Sequence, residues 1–286
     1  MTRRPRAPWR QRGEIARPLP LLGPPWAEAL LAFSRAQLAG ACAQRGLAVP
    51  ARASRAELAQ RLTRDKDRAQ AEQSYRDGQV PFPPHEPQYP LLSTLMRAHH
   101  LRHVLDLGCG PGLFAAHALG AGAIPADGSY LGIDNVEAAV ARARDRLAGE
   151  PRARFERGNF VDELPRAAEV DGILLSFVLS YLDTHTVDRL LRRLARAWPG
   201  ATVLVVLSVF TCVNGPRPGH HERPPEDLAR RFRDGDRRAL RRWDTRRLLC
   251  YTRSVDDHFG IVEEHRYDDA GRFVWVAGRR GRAQTR

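Results

Sequence analysis

The segment Val104-Leu-Asp-Leu-Gly-Cys-Gly-Pro-Gly112 constrains the fold more than any other part of the chain. A short apolar run, a carboxylate and three glycines at alternate positions describe a strand that turns sharply into a helix. Glycine accepts positive φ without steric cost and lets the backbone come close to a ligand. The flanking pattern repeats the strand–helix alternation. Strands are expected at His103–Leu107, Tyr130–Ile133, Arg154–Glu156, Gly172–Ser176 and Thr202–Phe210. Between them, Val136, Val140, Ala143 and Leu147 make one helical stripe, and Val187, Leu191, Leu194 and Trp198 repeat its spacing. Such alternation implies a parallel sheet covered by helices on both faces. Near the end, Ile261–Tyr267 and Arg272–Ala277 flank Asp268-Asp-Ala-Gly271, a hairpin signal, so the last strand should run antiparallel.

The glycine spacing discriminates between ligands. Dinucleotide-binding turns carry G-x-G-x-x-G, whose third glycine would fall at position 113, and that residue is Leu113. The chain has G-x-G-x-G instead, with Asp106 two residues before it. This resembles motif I of class I S-adenosylmethionine-dependent methyltransferases, and the resemblance extends over about 103–278. It implies a doubly wound, mostly parallel, seven-stranded Rossmann-like α/β sheet with S-adenosylmethionine as cofactor. By the same resemblance Gly108, Gly110 and Gly112 cradle the cofactor and Asp106 orients its amine. Asp134, beside Asn135, accepts the ribose hydroxyls. Asn159 stands where the family has Asp toward the adenine amino group, and its carbonyl can still accept. Phe160 offers a backbone N–H and a stacking face, and Ser176 and Phe177 line the methionine arm. Pro199-Gly200 fits the family's turn into the fifth strand. The structural alternative for Asp106 and Asp134 is that they only cap helices.

The acceptor is less legible. A sulfonium methyl is already electrophilic, so the protein must mainly align donor and acceptor and exclude water. A base is needed only where the acceptor loses a proton. No Asn/Asp-Pro-Pro-aromatic motif follows the fourth strand, where Ser176-Phe-Val-Leu-Ser180-Tyr181-Leu182 stands, and no Pro-Cys nucleophile is present. Tyr181 can donate to an acceptor or simply pack. The long link between Phe210 and Tyr251 holds His220 and His221, candidate bases or exposed loop residues. No metal site is expected, because the four cysteines and the histidine pairs match no ligand spacing.

Ahead of the main unit lies a helical one. Ser34-Arg-Ala-Gln37 and Ser54-Arg-Ala-Glu57 are both capping boxes. They open stripes of Leu38 and Cys42, then Leu58 and Leu62, with Gly46 as a C-cap. Residues 33–63 resemble a SAP motif, a helix–extended–helix unit found on nucleic-acid proteins, without the usual basic turn before the second helix. The alternative is a hairpin that packs on the catalytic domain as a lid. The expected organisation is a disordered basic tail at 1–25, the SAP-like unit at 26–70, a Pro-rich linker at 71–90, the methyltransferase domain at 91–278 and a basic tail at 279–286.

The net charge of +13 is unevenly placed. Residues 1–17 and 30–68 each carry +5, residues 226–247 and 279–286 each carry +4, and everything else sums to −5. The body is therefore slightly acidic, which favours a small-molecule acceptor, with RNA or DNA the alternative. Reduced thiols, the lack of a secretory leader and apolar runs too short to span a bilayer suggest a cytoplasmic protein.

Overall fold

A computed structural model describes residues 30, 33–76, 88–167, 169–208, 246–266 and 272–278. His220, His221 and the Arg-rich stretch before residue 246 lie outside the described residues, as do both basic tails.

Seven strands form one sheet: β1 (His103–Leu107), β2 (Ser129–Asp134), β3 (Ala153–Arg157), β4 (Gly172–Ser176), β5 (Thr202–Ser208), β6 (Ile261–Arg266) and β7 (Arg272–Ala277). Their spatial order is β3-β2-β1-β4-β5-β7-β6. The first five are parallel, and β7 inserts antiparallel between β5 and β6. The fold expected from the sequence is thus the fold observed. Strand order reverses where β1 and β4 lie side by side. Beyond the C-terminal ends of these strands is the usual ligand position in such sheets.

The parallel strands are apolar on both faces because helices cover both. Leu105, Leu107, Ile173, Leu175, Val203 and Val205 point to one side. There they meet α6 (Thr184–Ala197) through Val187, Leu190, Leu191 and Leu194, and α7 (Arg246–His258) through Tyr251 and Val255. Val104, Leu174, Leu204 and Val206 point to the other. That side is covered by α3 (Gln88–Ala98), α4 (Leu113–Gly120) and α5 (Glu137–Arg146). Asp106 alternates with Leu105 and Leu107, so its carboxylate belongs to the α3–α4–α5 side.

The N-terminal unit is α1 (Arg35–Gln44) and α2 (Arg55–Arg76) around a small core of Leu38, Cys42, Ala53, Leu58, Ala59 and Leu62. Both capping boxes form. Gln37 N donates to Ser34 Oγ at 3.3 Å and Ser34 N to Gln37 Oε1 at 2.9 Å. Glu57 N donates to Ser54 Oγ at 3.2 Å and Ser54 N to Glu57 Oε2 at 2.6 Å. The expected linker at 71–90 is helical at both ends, because α2 runs to Arg76 and α3 begins at Gln88. No glycine or proline interrupts residues 55–76, so nothing stops α2 earlier. Pro90 sits in the first turn of α3, where a missing N–H costs little.

Candidate functional site

The turn after β1 is held by backbone bonds. Gly108 N and Cys109 N both donate to Ile133 O, at 2.8 and 3.1 Å. Gly108, Gly110 and Gly112 have φ of 87°, 53° and 71°, all in the left-handed region. A Cβ on Gly112 would lie 2.9 Å from the Ala143 Cβ, and one on Gly108 would lie 3.1 Å from Val178 Cγ2. Glycine is therefore needed both for conformation and for the close passage of α5 and the post-β4 turn.

Asp134 ends β2 beside this turn. Its Oδ2 accepts from Gly110 N at 2.9 Å and its Oδ1 from Val136 N at 2.9 Å. The carboxylate clips the glycine turn to Val136, the residue before α5, so it fastens the turn without itself capping the helix. A carboxylate offers about four lone-pair positions, so it can take a ribose hydroxyl as well. Burial pushes its pKa up, against the backbone N–H bonds from Val136, Gly110 and Asn135 that pull it down.

Asp106 caps nothing. It is 2% exposed. One carboxylate oxygen accepts from the Tyr130 hydroxyl, and the other, Oδ1, is buried with no hydrogen-bond partner. An orphaned buried acceptor is costly unless a ligand completes it. Burial raises the Asp106 pKa to about 7, with Asp134 adding to the rise and the Tyr130 bond opposing it. A cationic amine placed at Oδ1 would satisfy both the lone pair and the charge.

The remaining expected residues surround the same strand ends. Asn159 is exposed after β3, where its Oδ1 accepts from Val161 N at 3.2 Å and its Nδ2 donates to Asp162. Phe160 is 7% exposed and its ring packs in the core with Leu107 and Ile133. Its ring is thus committed to packing, which leaves the backbone N–H as its means of contacting a ligand. Asn135 is exposed beside Asp134. Ser176 ends β4, and Phe177 follows at φ 57°, ψ 2°. A non-glycine residue in the left-handed region costs about 1–3 kcal/mol and clusters at working sites. Here it turns the chain from β4 into a 3-10 turn, Val178–Tyr181, whose Val178 abuts Gly108. Tyr181 closes that turn at 37% exposure.

The structure brings Asp106, Asp134, the three glycines, Ser176, Phe177 and Tyr181 to one end of the sheet. It also brings Tyr75 of α2, which the sequence reading did not place there. An unbroken run to Arg76 with Ala71 and Tyr75 one turn apart was the available signal. Among the described residues no group of three or more His, Cys, Asp or Glu can hold a metal ion.

Residues 104–198 match the family described as a methyltransferase domain. No curated protein matches the chain. Among solved structures, a Klebsiella pneumoniae protein assigned as an O-methyltransferase is 16% identical over 74% of this chain and 89% of its own, with a TM-score of 0.47. An O-methyltransferase from Streptomyces achromogenes involved in tomaymycin synthesis, solved with S-adenosylmethionine, is 18% identical over 75% of this chain and 90% of its own, TM-score 0.45. The N,N-8-amino-8-demethyl-D-riboflavin dimethyltransferase of Streptomyces davawensis is 24% identical over 67% of this chain and 53% of its own, TM-score 0.44.

Proposed function

We propose that this S-adenosylmethionine-dependent methyltransferase acts on a small-molecule acceptor. Methyl transfer rests on the matched domain at 104–198. The cofactor fits the residues present: a glycine turn open at the strand ends, Asp134 with spare lone pairs, and the orphaned Oδ1 of Asp106. When bound, S-adenosylmethionine supplies an electrophilic methyl on a sulfonium. The chain's own work is to bind and orient. Asp106 holds the amine, Asp134 the ribose, Asn159 and the Phe160 N–H the adenine, and Ser176 and Phe177 flank the methionine arm. Tyr181 stands where it can donate to an acceptor. His220 and His221 stay as candidate bases. Replacing both with alanine should lower turnover without changing cofactor affinity, and full turnover would remove them from the mechanism.

The observation that carries the small-molecule reading is the docking of α2. Glu72 Oε2 accepts from Ala138 N at 3.2 Å, and Tyr75 packs on Val136 and Ala139. A helix committed in this way closes a pocket, whereas a nucleic-acid anchor needs a free face. The second reading, RNA or DNA, is supported by one feature: two helices with both capping boxes formed, α1 and α2, stand where the SAP resemblance was read. The described residues contain no helix long and apolar enough to cross a membrane. The deciding experiment is transfer of labelled methyl from S-adenosylmethionine to a small-metabolite extract, total RNA and DNA in parallel. Label in the extract alone is expected, and label in a nucleic acid alone would reverse the assignment.

A further inference from the structure

The last turns of α2 lie against the glycine turn, where no residue had been assigned a role. Tyr75 is 5% exposed. Its ring packs with Val136 and Ala139, with Ala71 and Ala138 at the margin. The Glu72 carboxylate takes the Ala138 N–H, one of the free donors in the first turn of α5. A Cβ built on Gly110 would lie 3.5 Å from the Tyr75 hydroxyl. The phenol therefore reaches the middle of the turn that the Asp134 carboxylate clips through the Gly110 N–H. Asp134, Tyr181 and Cys109 all lie close enough to act on the phenol electrostatically.

A tyrosine that only filled a gap could be a phenylalanine. The ring is buried but its hydroxyl is not sealed off from solvent, so it stands beside the glycine turn where a ligand oxygen can accept from it. Burial and the neighbouring Asp134 carboxylate hold this phenol neutral, so it remains a hydrogen-bond donor at any working pH. The other carboxyl and phenol groups at this end of the sheet are unlike it. Asp106 and Asp134 are acceptors, and Tyr181, at 37% exposure, opens toward solvent. A cofactor with a carboxylate and ribose oxygens needs donors, which the glycine turn supplies from its backbone and α2 supplies from one side chain.

We propose that α2 roofs the cofactor site and that Tyr75 donates a hydrogen bond to an oxygen of bound S-adenosylmethionine. The inference rests on the S-adenosylmethionine reading given above. It makes the N-terminal unit part of the cofactor site, so cofactor exchange requires the end of α2 to lift from α5.

The test is calorimetric titration of the full chain and of Tyr75→Phe with S-adenosylmethionine, beside thermal unfolding of both without ligand. The ring and its packing survive in the variant, so unfolding should be little changed. The dissociation constant should rise about five- to tenfold, the size expected for one lost hydrogen bond. Titration with adenosine shows which oxygen is bonded: the loss persists if it is a ribose hydroxyl and vanishes if it is the carboxylate. In parallel, hydrogen exchange at residues 66–76 should slow when S-adenosylmethionine is added to the full chain. Saturable binding by both proteins with equal constants overturns the Tyr75 bond while leaving the cofactor reading intact. Slowing confined to the 104–113 turn overturns the roof. Failure of the unaltered chain to bind at all removes the cofactor reading and this inference with it.

Discussion

Asp106 and Asp134 stand one strand apart at the same sheet end and do different things. Asp134 has a structural task in the free protein, fastening Gly110 to Val136. Asp106 has none that offsets its burial, and its Oδ1 is left without a partner. A group with such an environment is a functional candidate on physical grounds. Its pKa of about 7 gives a test with a definite sign. An amine is held by the carboxylate and not by the acid. Below pH 7 the competent fraction falls about tenfold per unit, and the apparent dissociation constant rises by the same factor. Affinity for S-adenosylmethionine should therefore strengthen from pH 5 to pH 7 and level off above it. A flat profile across that range would contradict the role. Stability runs the other way. The folded-state pKa lies above the ordinary 3.8, so the native state binds this proton more tightly than the unfolded one. That contribution is fully present below about pH 4 and is lost as pH rises through about 7. The free protein at pH 8 therefore carries a destabilising buried carboxylate. Asp106→Asn should accordingly raise the melting temperature of the ligand-free protein at pH 8, with the gain fading toward pH 4, while cofactor binding is lost. A variant that melts lower at pH 8 would show that the carboxylate is structural.

Between elements, the junction of α2 with α5 matters most, and it was the part least visible in the sequence. The glycine turn, the strand ends and the final hairpin were legible because their signals are local: positive-φ glycines, alternating strand and helix periods, and the Asp-Asp-Ala-Gly link between the last two strands. β1, β4 and β7 have the bounds expected from sequence, and the other strands differ by a residue or two at their described ends. The extent of α2 was not legible. Its second half, Thr63–Arg76, is nearly all polar, so no apolar stripe marks it, and its contacts are made with α5 more than sixty residues on. The prolines from Pro81 onward drew the boundary too early. For the same reason, deletion of residues 1–68 does not separate an appendage from the cofactor site, since it cuts α2 a few residues before Glu72 and Tyr75. A milder test leaves the helix whole. Glu72→Ala removes the acceptor for the Ala138 N–H and should cost about 1 kcal/mol, as for other helix caps. Faster hydrogen exchange in residues 66–76 should report that loss. Unchanged exchange would mean that α2 is held by Tyr75 and its apolar neighbours alone. α7 was also missed, because its inward face of Tyr251, Ser254 and Val255 is short and follows a long Arg-rich stretch.

At the scale of the whole molecule, the acidic body and the basic appended segments point to different acceptors. The positive excess lies in 1–17, 30–68, 226–247 and 279–286, around a body that sums to −5. Arg-rich tails bind any polyanion, so attraction to RNA or DNA at low salt is expected and proves little. Binding that serves catalysis should persist near 150 mM salt and carry methyl transfer with it. On the small-molecule reading it should be feeble there and carry none, as a filter-binding salt series with labelled cofactor would show. Whichever acceptor is correct, it depends on one premise, that S-adenosylmethionine binds at the turn between β1 and α4. The direct measurement is calorimetric titration of the full chain with S-adenosylmethionine at pH 8, beside Asp134→Ala as a folded control checked by its melting curve. One saturable site should appear, weakened in the variant by about 2 kcal/mol or more, as for a lost pair of charge-assisted bonds. Equal affinity in the two proteins, or no saturable binding by the unaltered chain, would contradict the account.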